Sequence, residues 1–574
     1  MAQHIVVDPI TRIEGHLRIE AEVDSTNTIT KAWSSSTMFR GIEMIVKDRD
    51  PRDVGLFTQR ACGVCTYVHY SASHRAVENA FGVTVPKNAR LVRNLKLGAL
   101  YLNDHPVHFY ALEALDFVDL LSALEADPKK AVSVAYHYTD NPYNASAGHY
   151  AAVQARLTAF AKQDPNLGVF GSSYWGNPSY KLTPEQNLVA VSHFLDCLDY
   201  QRTPAKMMAL FGGKNPHPQG DVVGGVTCVE DLAQPSRLAQ FGQWLTDCMA
   251  FLTGAYLPDL LMVGEAYAAE AIAGVGAGLR NYMAYGGFEL DDMPIYEAKT
   301  LFPSGIVLGG DLSHAYSLNQ EKITEDVTHS WYAGHTVRQP FDGVTEPDYT
   351  GLESPQNGIA YLKTDEKYSW LKAPTYDDQR VEVGPLARLV VGYAKGNATI
   401  KAAVDQLLKI SGLPAAALFS TVGRAAARMA ETQIIADAMG GWLSELEQNT
   451  QGGDLSTWTD FTFDAVSRDA QGYGLLMAPR GALGHWTQIR DGKVANYQIV
   501  APTTWNASPR DGKGRPGAYE AALVGVHLAD PSQPLEVLRT VHSFDPCLAC
   551  AVHLVDARGR ELGSYQLGAP TGAR

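Results

Sequence analysis

The sequence predicts a mainly α protein with smaller β elements, in which a helical-bundle core lies between β-structure at the two ends of the chain. Three long segments, 86–125, 234–275 and 399–448, carry apolar residues at helical spacing, which predicts helices that pack together as a bundle. Near both ends, apolar and polar residues alternate instead, and this period of two is typical of strands. The chain contains no fixed-period repeat or low-complexity linker, so we expect residues 1–553 to form one interlocked unit.

The terminal β-structure is predicted from two stretches. In "HLRIEAEV", apolar and charged residues alternate from Leu17 to Val23, which predicts a strand with one buried face. Near the other end, "HWTQIRDGKVANYQIV" contains Asp491 and Gly492 between two alternating runs. Asp-Gly is a favoured pair for a two-residue hairpin turn, so a β-hairpin is predicted there.

Helix boundaries are predicted from capping residues. In "RDPRDVGLFTQR", Asp50 followed by Pro51 predicts a helix start, because aspartate caps helix N-termini and proline fits the first helical position. A second helix is predicted to start at Thr183 and to end at the glycine pair that begins at Gly212. The section from 279 to 385 is richer in glycine, proline, aspartate and tyrosine, which predicts loops with short strands.

Composition and charge exclude several classes of protein. With 45% hydrophobic and 19% charged residues, the 574-residue chain has an ordinary globular composition, and its apolar runs end before the roughly 18 residues that a membrane span requires. The formal charge of −15 argues against nucleic acid as a partner, since that binding needs clustered Lys and Arg. The N-terminal "MAQHIVVDPITRIEGH" has no basic and apolar leader regions, so we expect no export signal in this chain itself.

Four of the seven cysteines form two pairs with the same spacing. Cys62 and Cys65 lie in "RACGVCTYVH", and Cys547 and Cys550 lie in "HSFDPCLACAVH", with His553 three residues later. One such pair could be a redox dithiol, half of a zinc site or two buried thiols, but four thiolates favour zinc or another thiophilic metal. A structural zinc that joins the chain ends therefore remains an alternative at this point. The other cysteines are interpreted as core thiols: Cys197, Cys228 and Cys248.

Charged residues accompany the cysteine pairs in short motifs rich in glycine and proline: Glu14, Glu43, Asp104, Arg480 and Asp545. A structural zinc site needs little beyond its ligands, so the presence of these charged residues favours a reactive site. Taken singly, each has an ordinary explanation, such as a surface carboxylate, a core ion pair or, for His105 with His108, a satisfied helix face.

Together, these stretches resemble the large subunit of nickel-iron uptake hydrogenases, of the respiratory and membrane-associated type. The resemblance runs along almost the whole chain, in the segments "DPITRIEGHLRIE", "MFRGIE", "RDPRD", "RACGVCTYVH", "NDHPVHFYALEALDFVDL", "GGKNPHPQ", "VEVGPLARLV", "APRGALGHW", "PTTWNASPRD" and "PLEVLRTVHSFDPCLACAVH". It implies that family's large-subunit fold, and it disfavours the related quinone-site subunit of respiratory complex I, which lacks the four cysteines.

The resemblance also implies a set of ligands. The four paired cysteines would hold nickel, and Cys65 and Cys550 would also bridge to an iron that carries carbonyl and cyanide ligands. A magnesium or iron ion near the C-terminus would bind Glu43, the backbone carbonyl of Ile499 and His553. Cofactor binding is further assigned to four residues, of which the first two would hydrogen-bond the cyanides: Arg480, Thr503, Pro479 and His69.

The implied reaction is the reversible heterolytic oxidation of H2 to protons and electrons. The terminal thiolate Cys547 would be the first base and Glu14 the next proton carrier, while Arg480 would act above the open metal position. Asp104 and Asp545 would fix its guanidinium by paired hydrogen bonds. The chain has no further cysteine array for iron-sulfur clusters, so a heterodimer with an iron-sulfur small subunit is expected, which passes electrons to a membrane cytochrome or quinone-linked acceptor. The alternatives are a hydrogen-sensing regulatory subunit and a zinc-stapled scaffold without chemistry.

Location and processing are also implied by the resemblance. We expect a periplasmic enzyme, associated with the membrane through its partner and exported with a small subunit that bears a twin-arginine signal. Residues 554–574 would be a maturation extension, removed after His553 by a nickel-dependent endopeptidase that acts with nickel-delivery machinery. One departure is Ala61, where the family usually has isoleucine. The smaller side chain removes no ligand, but it would loosen packing beside the cluster or widen a route for gas near Val64.

Overall fold

The computed structural model describes residues 3–163, 173–356, 358–461 and 469–548. The mainly helical architecture with smaller sheets is confirmed. The helices are α1 (Ile42–Ile45), α2 (Val54–Thr58), α3 (Val68–Phe81), α4 (Lys87–Val107), α5 (Leu120–Ala123), α6 (Pro128–Tyr138), α7 (Ala147–Gln163), α8 (Pro184–Tyr200), α9 (Arg202–Gly212), α10 (Val229–Leu232), α11 (Pro235–Phe251), α12 (Leu257–Ala266), α13 (Ala268–Ala273), α14 (Pro385–Ala394), α15 (Ala398–Ser411), α16 (Thr421–Gln451), α17 (Pro502–Asn506), α18 (Ala518–Leu523) and α19 (Leu535–His542).

The strands form small antiparallel sheets. They are β1 (Gln3–Val7), β2 (Leu17–Val23), β3 (Ile29–Ser36), β4 (Asp221–Val222), β5 (Gly225–Val226), β6 (Tyr282–Ala284), β7 (Gly287–Glu289), β8 (Thr300–Phe302), β9 (Gly305–Val307), β10 (Ile323–Asp326), β11 (Val337–Arg338), β12 (Ala373–Tyr376), β13 (Ala470–Ala478), β14 (Gly481–Arg490) and β15 (Lys493–Val500). The three-stranded sheets have the orders β1-β2-β3, β11-β10-β12 and β13-β14-β15. The short strands β6 to β12 confirm the prediction for residues 279–385.

The first sheet confirms the predicted strand but corrects its predicted burial. β2 is the central strand, and its charged residues Arg18 and Glu20 are buried along with its apolar ones. Arg18 Nε donates to Glu20 Oε1 at 2.8 Å, and the backbone N–H of Leu362 donates to the same oxygen at 3.0 Å. A distant segment therefore covers the second face, and paired charges make that burial tolerable.

The third sheet contains the predicted hairpin and lies against α3. Asp491 and Gly492 connect β14 to β15 with φ angles of 49° and 71°, as a type I′ turn requires. In β13, a Cβ on Gly474 would lie 1.9 Å from the carbonyl oxygen of Ala72. Glycine is required there because the strand backbone touches α3, the helix that follows the first cysteine pair.

Helices α4, α9, α11, α12, α14 and α16 form the core, with α4 packed along α16. The predicted long helices are interrupted more often than the sequence suggested. Segment 86–125 contains α4, then a π-helical turn over His108–Glu113 and the short α5. Segment 234–275 contains α11 and α12, joined by a π-helical turn over Leu252–Tyr256, and then α13. Segment 399–448 divides into α15 and α16.

Two predicted helix starts have different outcomes. The start at Pro51 is wrong, because α2 begins at Val54; the Asp50 carboxylate instead accepts from the backbone N–H of Arg52 at 2.9 Å and closes a turn. The start at Thr183 is confirmed, because Thr183 is the N-cap of α8; it also forms a capping box with Gln186. That helix nevertheless ends at Tyr200 and α9 follows, since Pro204 has no N–H to donate to the Tyr200 carbonyl.

Within the described residues, no helix has the length and apolar character to cross a membrane.

Candidate metal centre

Three of the four predicted cysteine ligands meet in the interior. The sulfurs of Cys62, Cys65 and Cys547 all lie within 4.8 Å of one another, and those of Cys62 and Cys547 are 3.3 Å apart. The three residues are 1%, 4% and 0% exposed. Cys550 and His553 lie outside the described residues. Three buried sulfurs this close together fit a thiophilic metal, which is the donor chemistry that nickel or zinc would need.

A tight turn positions the first cysteine pair. Cys62 is extended, with φ −137° and ψ 138°, directly after a 3-10 helix over Gln59–Ala61. The backbone N–H groups of Val64 and Cys65 both donate to the Cys62 sulfur, at 3.2 and 3.1 Å. Such donors stabilise a thiolate, so the loop prepares Cys62 for a metal.

Cys547, the described member of the second pair, is held by the N-terminal segment. Cys547 forms an isolated parallel bridge with Glu14, in which the N–H of Leu548 donates to the Glu14 carbonyl at 2.8 Å. The backbone N–H of Cys547 donates to Thr503 Oγ1 at 3.1 Å. Thr503 therefore touches the cysteine backbone, and its hydroxyl hydrogen stays available to donate to another group.

The side chains of Glu14 and Cys547 are also in contact. The Cys547 sulfur and Glu14 Oε2 are 3.2 Å apart, which is hydrogen-bond distance for sulfur. A thiol and a carboxylate at this separation can exchange a proton directly.

Arg480 follows β13 and is held between the buried carboxylates of Asp104 and Asp545. Its Nε donates to Asp545 Oδ1 at 3.1 Å, and one terminal nitrogen donates to Asp104 Oδ2 at 3.2 Å. Although burial opposes its charge, Asp545, Cys547 and Asp104 together raise the pKa of Arg480 well above its usual value. Burial raises the pKa of Asp104 to about 7, with Arg480 acting in the opposite direction.

His69 and Pro479 have partners that the sequence did not reveal. His69 Nδ1 lies 3.0 Å from His485 Nε2, and His485 Nδ1 lies 2.7 Å from the Tyr497 hydroxyl. Burial lowers the pKa of His69 to about 4, so its ring is neutral at pH 7. The Pro479 carbonyl accepts from Arg388 at 2.9 Å.

The predicted second metal site is described in part. Glu43 Oε1 accepts from the backbone N–H of Ile499 at 2.8 Å, and Glu43 Oε2 accepts from the Thr345 hydroxyl. Lys372 Nζ lies 3.7 Å from the same Oε2 and 3.2 Å from Glu325. Oxygen donors of this kind suit magnesium. Thr345, Lys372 and Glu325 were missed from sequence because they lie in the loop-rich section, without a recognisable spacing.

The other sequence assignments are also placed. Cys197, Cys228 and Cys248 are buried apart from the site, which confirms their reading as core thiols. Ala61 is buried beside Cys62, and its carbonyl accepts from Arg40 at 3.2 Å.

Comparison with known proteins agrees with this geometry. A family model described as nickel-dependent hydrogenase matches residues 40–553, and one described as HoxL-like matches residues 4–35. This chain belongs to the nickel-dependent hydrogenases. The quinone-reactive Ni/Fe-hydrogenase large chain of Wolinella succinogenes is 46% identical over 99% of this chain and 98% of its own length.

Further relatives lie within the same hydrogenase family. The uptake hydrogenase large subunit of Rhizobium leguminosarum is 44% identical over 98% of this chain and 97% of its own length. Among solved structures, the Ni-Fe-Se hydrogenase of D. vulgaris Hildenborough matches with a TM-score of 0.76 and 33% identity, over 96% of this chain and 100% of that one. The predicted family and the predicted fold are confirmed, and the chain corresponds to a hydrogenase large subunit.

Proposed function

We propose that this chain is the catalytic large subunit of an uptake hydrogenase, which oxidises H2 to protons and electrons. The observation that carries the proposal is the contact between Cys547 and Glu14, where a cysteine of the three-sulfur cluster has a carboxylate 3.2 Å away. A structural zinc site has no use for such a proton acceptor. The relatives are named as uptake and quinone-reactive enzymes, which disfavours the hydrogen-sensing alternative.

Cys62, Cys65, Cys547 and Cys550 would hold nickel, and Cys65 and Cys550 would share an iron with carbonyl and cyanide ligands. When bound, this soft, sulfur-rich pair of metals supplies a site that accepts the electron pair of hydrogen. The N–H donors on Cys62 support thiolate character there.

The proton leaves through side chains of this chain. Cys547 takes it at sulfur, and Glu14 Oε2 receives it across the 3.2 Å contact. The backbone bridge between Glu14 and Cys547 keeps the two residues side by side, so the transfer needs no rearrangement of the main chain.

Arg480 is proposed to act as a fixed cation above the cluster. Arg480 contacts Asp104 and Asp545 through Nε and both terminal nitrogens, which uses three of its five N–H groups and leaves one N–H on each terminal nitrogen to donate. In a buried site, such a donor polarises the reacting hydrogen or binds a cyanide, and Thr503 supplies a second donor. Pro479 and His69 would complete the cofactor surroundings.

A second ion, magnesium or iron, is proposed at Glu43, the Ile499 carbonyl and His553. The support is the direct contact between Glu43 and the Ile499 backbone. Lys372 and Glu325 would balance the charge around the ion.

The small subunit is proposed to cover the face beside the first cysteine pair. Met44, Ile45 and Leu56 are 47%, 45% and 38% exposed on α1 and α2, and Gly63, next to Cys62, is also exposed. A partner on this apolar face would bring an iron-sulfur cluster close to the buried sulfurs, as electron transfer requires.

The acceptor and the location are proposed from the relatives. Because the Wolinella succinogenes relative is quinone-reactive, we propose a quinone-linked or cytochrome acceptor in the membrane, and a periplasmic enzyme that is exported with its small subunit. Fractionation of cells tests the location, and mature enzyme found only in the cytosol would exclude it.

Maturation is proposed to remove residues 554–574, which lie outside the described residues. The cluster would be loaded first, after which cleavage lets the new C-terminus fold in and His553 reach its ion. On this basis residues 1–553 form the interlocked catalytic unit. Intact-mass measurement should find His553 as the last residue of active enzyme, and fully active enzyme that still carries the extension would refute the order.

The deciding experiment is hydrogen-dependent dye reduction by the purified heterodimer. The proposal predicts sustained turnover that Cys62→Ser abolishes and that Cys248→Ser, a change at a buried cysteine outside the cluster, leaves intact. A heterodimer that binds H2 with negligible turnover would favour the sensor, and one without any hydrogen chemistry would favour the zinc scaffold.

A further inference from the structure

Arg388 is hydrogen-bonded to the backbone segment that leads into Arg480. Arg388 lies in α14 and is buried, and its Nε and one terminal nitrogen donate to the two carboxylate oxygens of Glu431, the latter bond at 2.6 Å. Its terminal nitrogens also donate to the carbonyls of Ala478 and Pro479, both at 2.9 Å. One buried guanidinium therefore holds the two backbone carbonyls that immediately precede Arg480.

The Glu431 carboxylate is also connected, through His105 and Asp104, to the guanidinium of Arg480. Glu431 Oε2 lies 3.0 Å from His105 Nε2, and His105 follows Asp104, which accepts from the Arg480 guanidinium. Residues 480, 104, 105, 431 and 388 thus form a closed ring of hydrogen bonds and adjacent backbone. The ring constrains both the backbone and the side-chain tip of Arg480.

Close backbone packing limits the freedom of this ring. Gly481 and Gly384 have φ angles of 141° and 138°, and a Cβ on Gly481 would lie 2.9 Å from the Gly384 nitrogen. The turn that carries Arg480 therefore rests directly on the first turn of α14. A shift of Arg388 would move this turn, since the Gly384 backbone and the Val383 side chain pack directly against Gly481 and leave little space to absorb the change.

We propose that Arg388 and Glu431 are positioning residues, which set where the Arg480 guanidinium lies relative to the cysteine sulfurs. The proposal rests on the proposed function of Arg480. A bidentate Arg–Glu pair with two carbonyl contacts has a fixed geometry that lysine cannot reproduce. Loss of this support misplaces a buried donor, and an error near 1 Å at such a site costs about 100-fold in rate.

The test uses Arg388→Lys and Glu431→Gln in the nickel-loaded heterodimer. We expect turnover to fall about 10- to 100-fold at unchanged nickel content. The infrared stretching bands of the carbonyl and cyanide ligands should shift, because a donor to them has moved. If the Arg388→Lys protein does not fold well enough to be purified, Glu431→Gln still tests the positioning role, since the amide preserves the size of the side chain.

Arg93 provides a matched control. It donates to both oxygens of Glu78 at 2.9 and 2.8 Å and to the carbonyls of Val222 and Gly225 at 2.9 and 3.0 Å. Glu78 lies ten residues beyond Val68, about 15 Å along α3 from the cysteine loop. Arg93→Lys should lower the melting temperature as Arg388→Lys does, but it should leave the infrared bands and the turnover unchanged.

A double variant separates positioning from general stability. If Arg388 acts through Arg480, adding Arg388→Lys to Arg480→Lys should cause little further loss of turnover. Multiplicative losses in the double variant, or unshifted infrared bands with full turnover in the single variants, would overturn the inference. An unmodified heterodimer that holds zinc and oxidises no H2 would instead overturn the proposed function, and this inference with it.

Discussion

Replacing Glu14 with glutamine tests the proposed proton route most sharply. The amide has nearly the same shape and keeps the 3.2 Å contact to the Cys547 sulfur, but it cannot take up a proton. The backbone bonds of Glu14 to Pro546 and Leu548 do not involve the side chain and remain. Glu14→Gln should therefore retain its metal and its fold while losing the first proton acceptor after sulfur.

The expected magnitude follows from these contacts. Removal of a positioned acid-base group costs about 100-fold or more in turnover, which corresponds to about 2.7 kcal/mol in the activation free energy. The free energy of unfolding should change by only about 1 kcal/mol, because the contact with the Cys547 sulfur is altered while the backbone hydrogen bonds remain. Glu14→Asp keeps the carboxylate but shortens the side chain, so its turnover should lie between that of the unmodified enzyme and that of Glu14→Gln.

The assay is hydrogen-dependent dye reduction by heterodimers of equal nickel content, with thermal unfolding measured in parallel. Glu22→Gln is the control, since Glu22 lies in β2, the strand that follows Glu14, and pairs with Lys31 at the surface, at 3.2 Å. That variant should be fully active. Near-normal dye reduction by nickel-loaded Glu14→Gln would refute the route and require another exit for the proton.

Three further predictions concern packing, titration and assembly. Gly474→Ala should destabilise the protein by more than the usual ~1–3 kcal/mol for overpacking, because the new Cβ would lie 1.9 Å from the Ala72 carbonyl oxygen. A melting temperature equal to that of the unmodified protein would contradict this prediction. Burial raises the pKa of Glu113 to about 8, from 4.5 in the unfolded chain. At a pH between these two pKa values, Glu113 is protonated in the folded protein and loses its proton on unfolding. The free energy of unfolding therefore falls as the pH rises from about 5 to about 8. Glu113→Gln should flatten that part of the curve of melting temperature against pH. Met44→Asp should weaken assembly with the small subunit in a pull-down, whereas Met293→Asp, at a residue 53% exposed elsewhere, should not.

Regular features of the fold could be read from sequence because they depend on local chemistry. The Thr183 capping box and the Asp491-Gly492 turn are set by residues that contact their own neighbours. The breaks in the long helices were not predicted, since they depend on single events such as Pro204. The two-sided burial of β2 was also missed, because Leu362 reaches Glu20 from more than 300 residues away.

The candidate site, like the fold, could be predicted from the sequence only in part. The cysteines and their acidic companions stand in recognisable motifs, and the structure shows Glu14 in contact with Cys547 and Arg480 in contact with Asp545. The supporting residues have no such signal. Glu431 is one acid among many on α16, and only the fold shows that it bridges Arg388 and His105. Buried hydrogen-bond networks of this kind are properties of the packed structure.

The metal content of the purified heterodimer shows whether the buried sulfurs of Cys62, Cys65 and Cys547, with Cys550, bind a nickel-iron centre as proposed. Elemental analysis should find nickel and iron with little zinc, and Cys547→Ser should lose the nickel whereas Cys248→Ser should keep it. Stoichiometric zinc without nickel in the unmodified heterodimer would contradict the account.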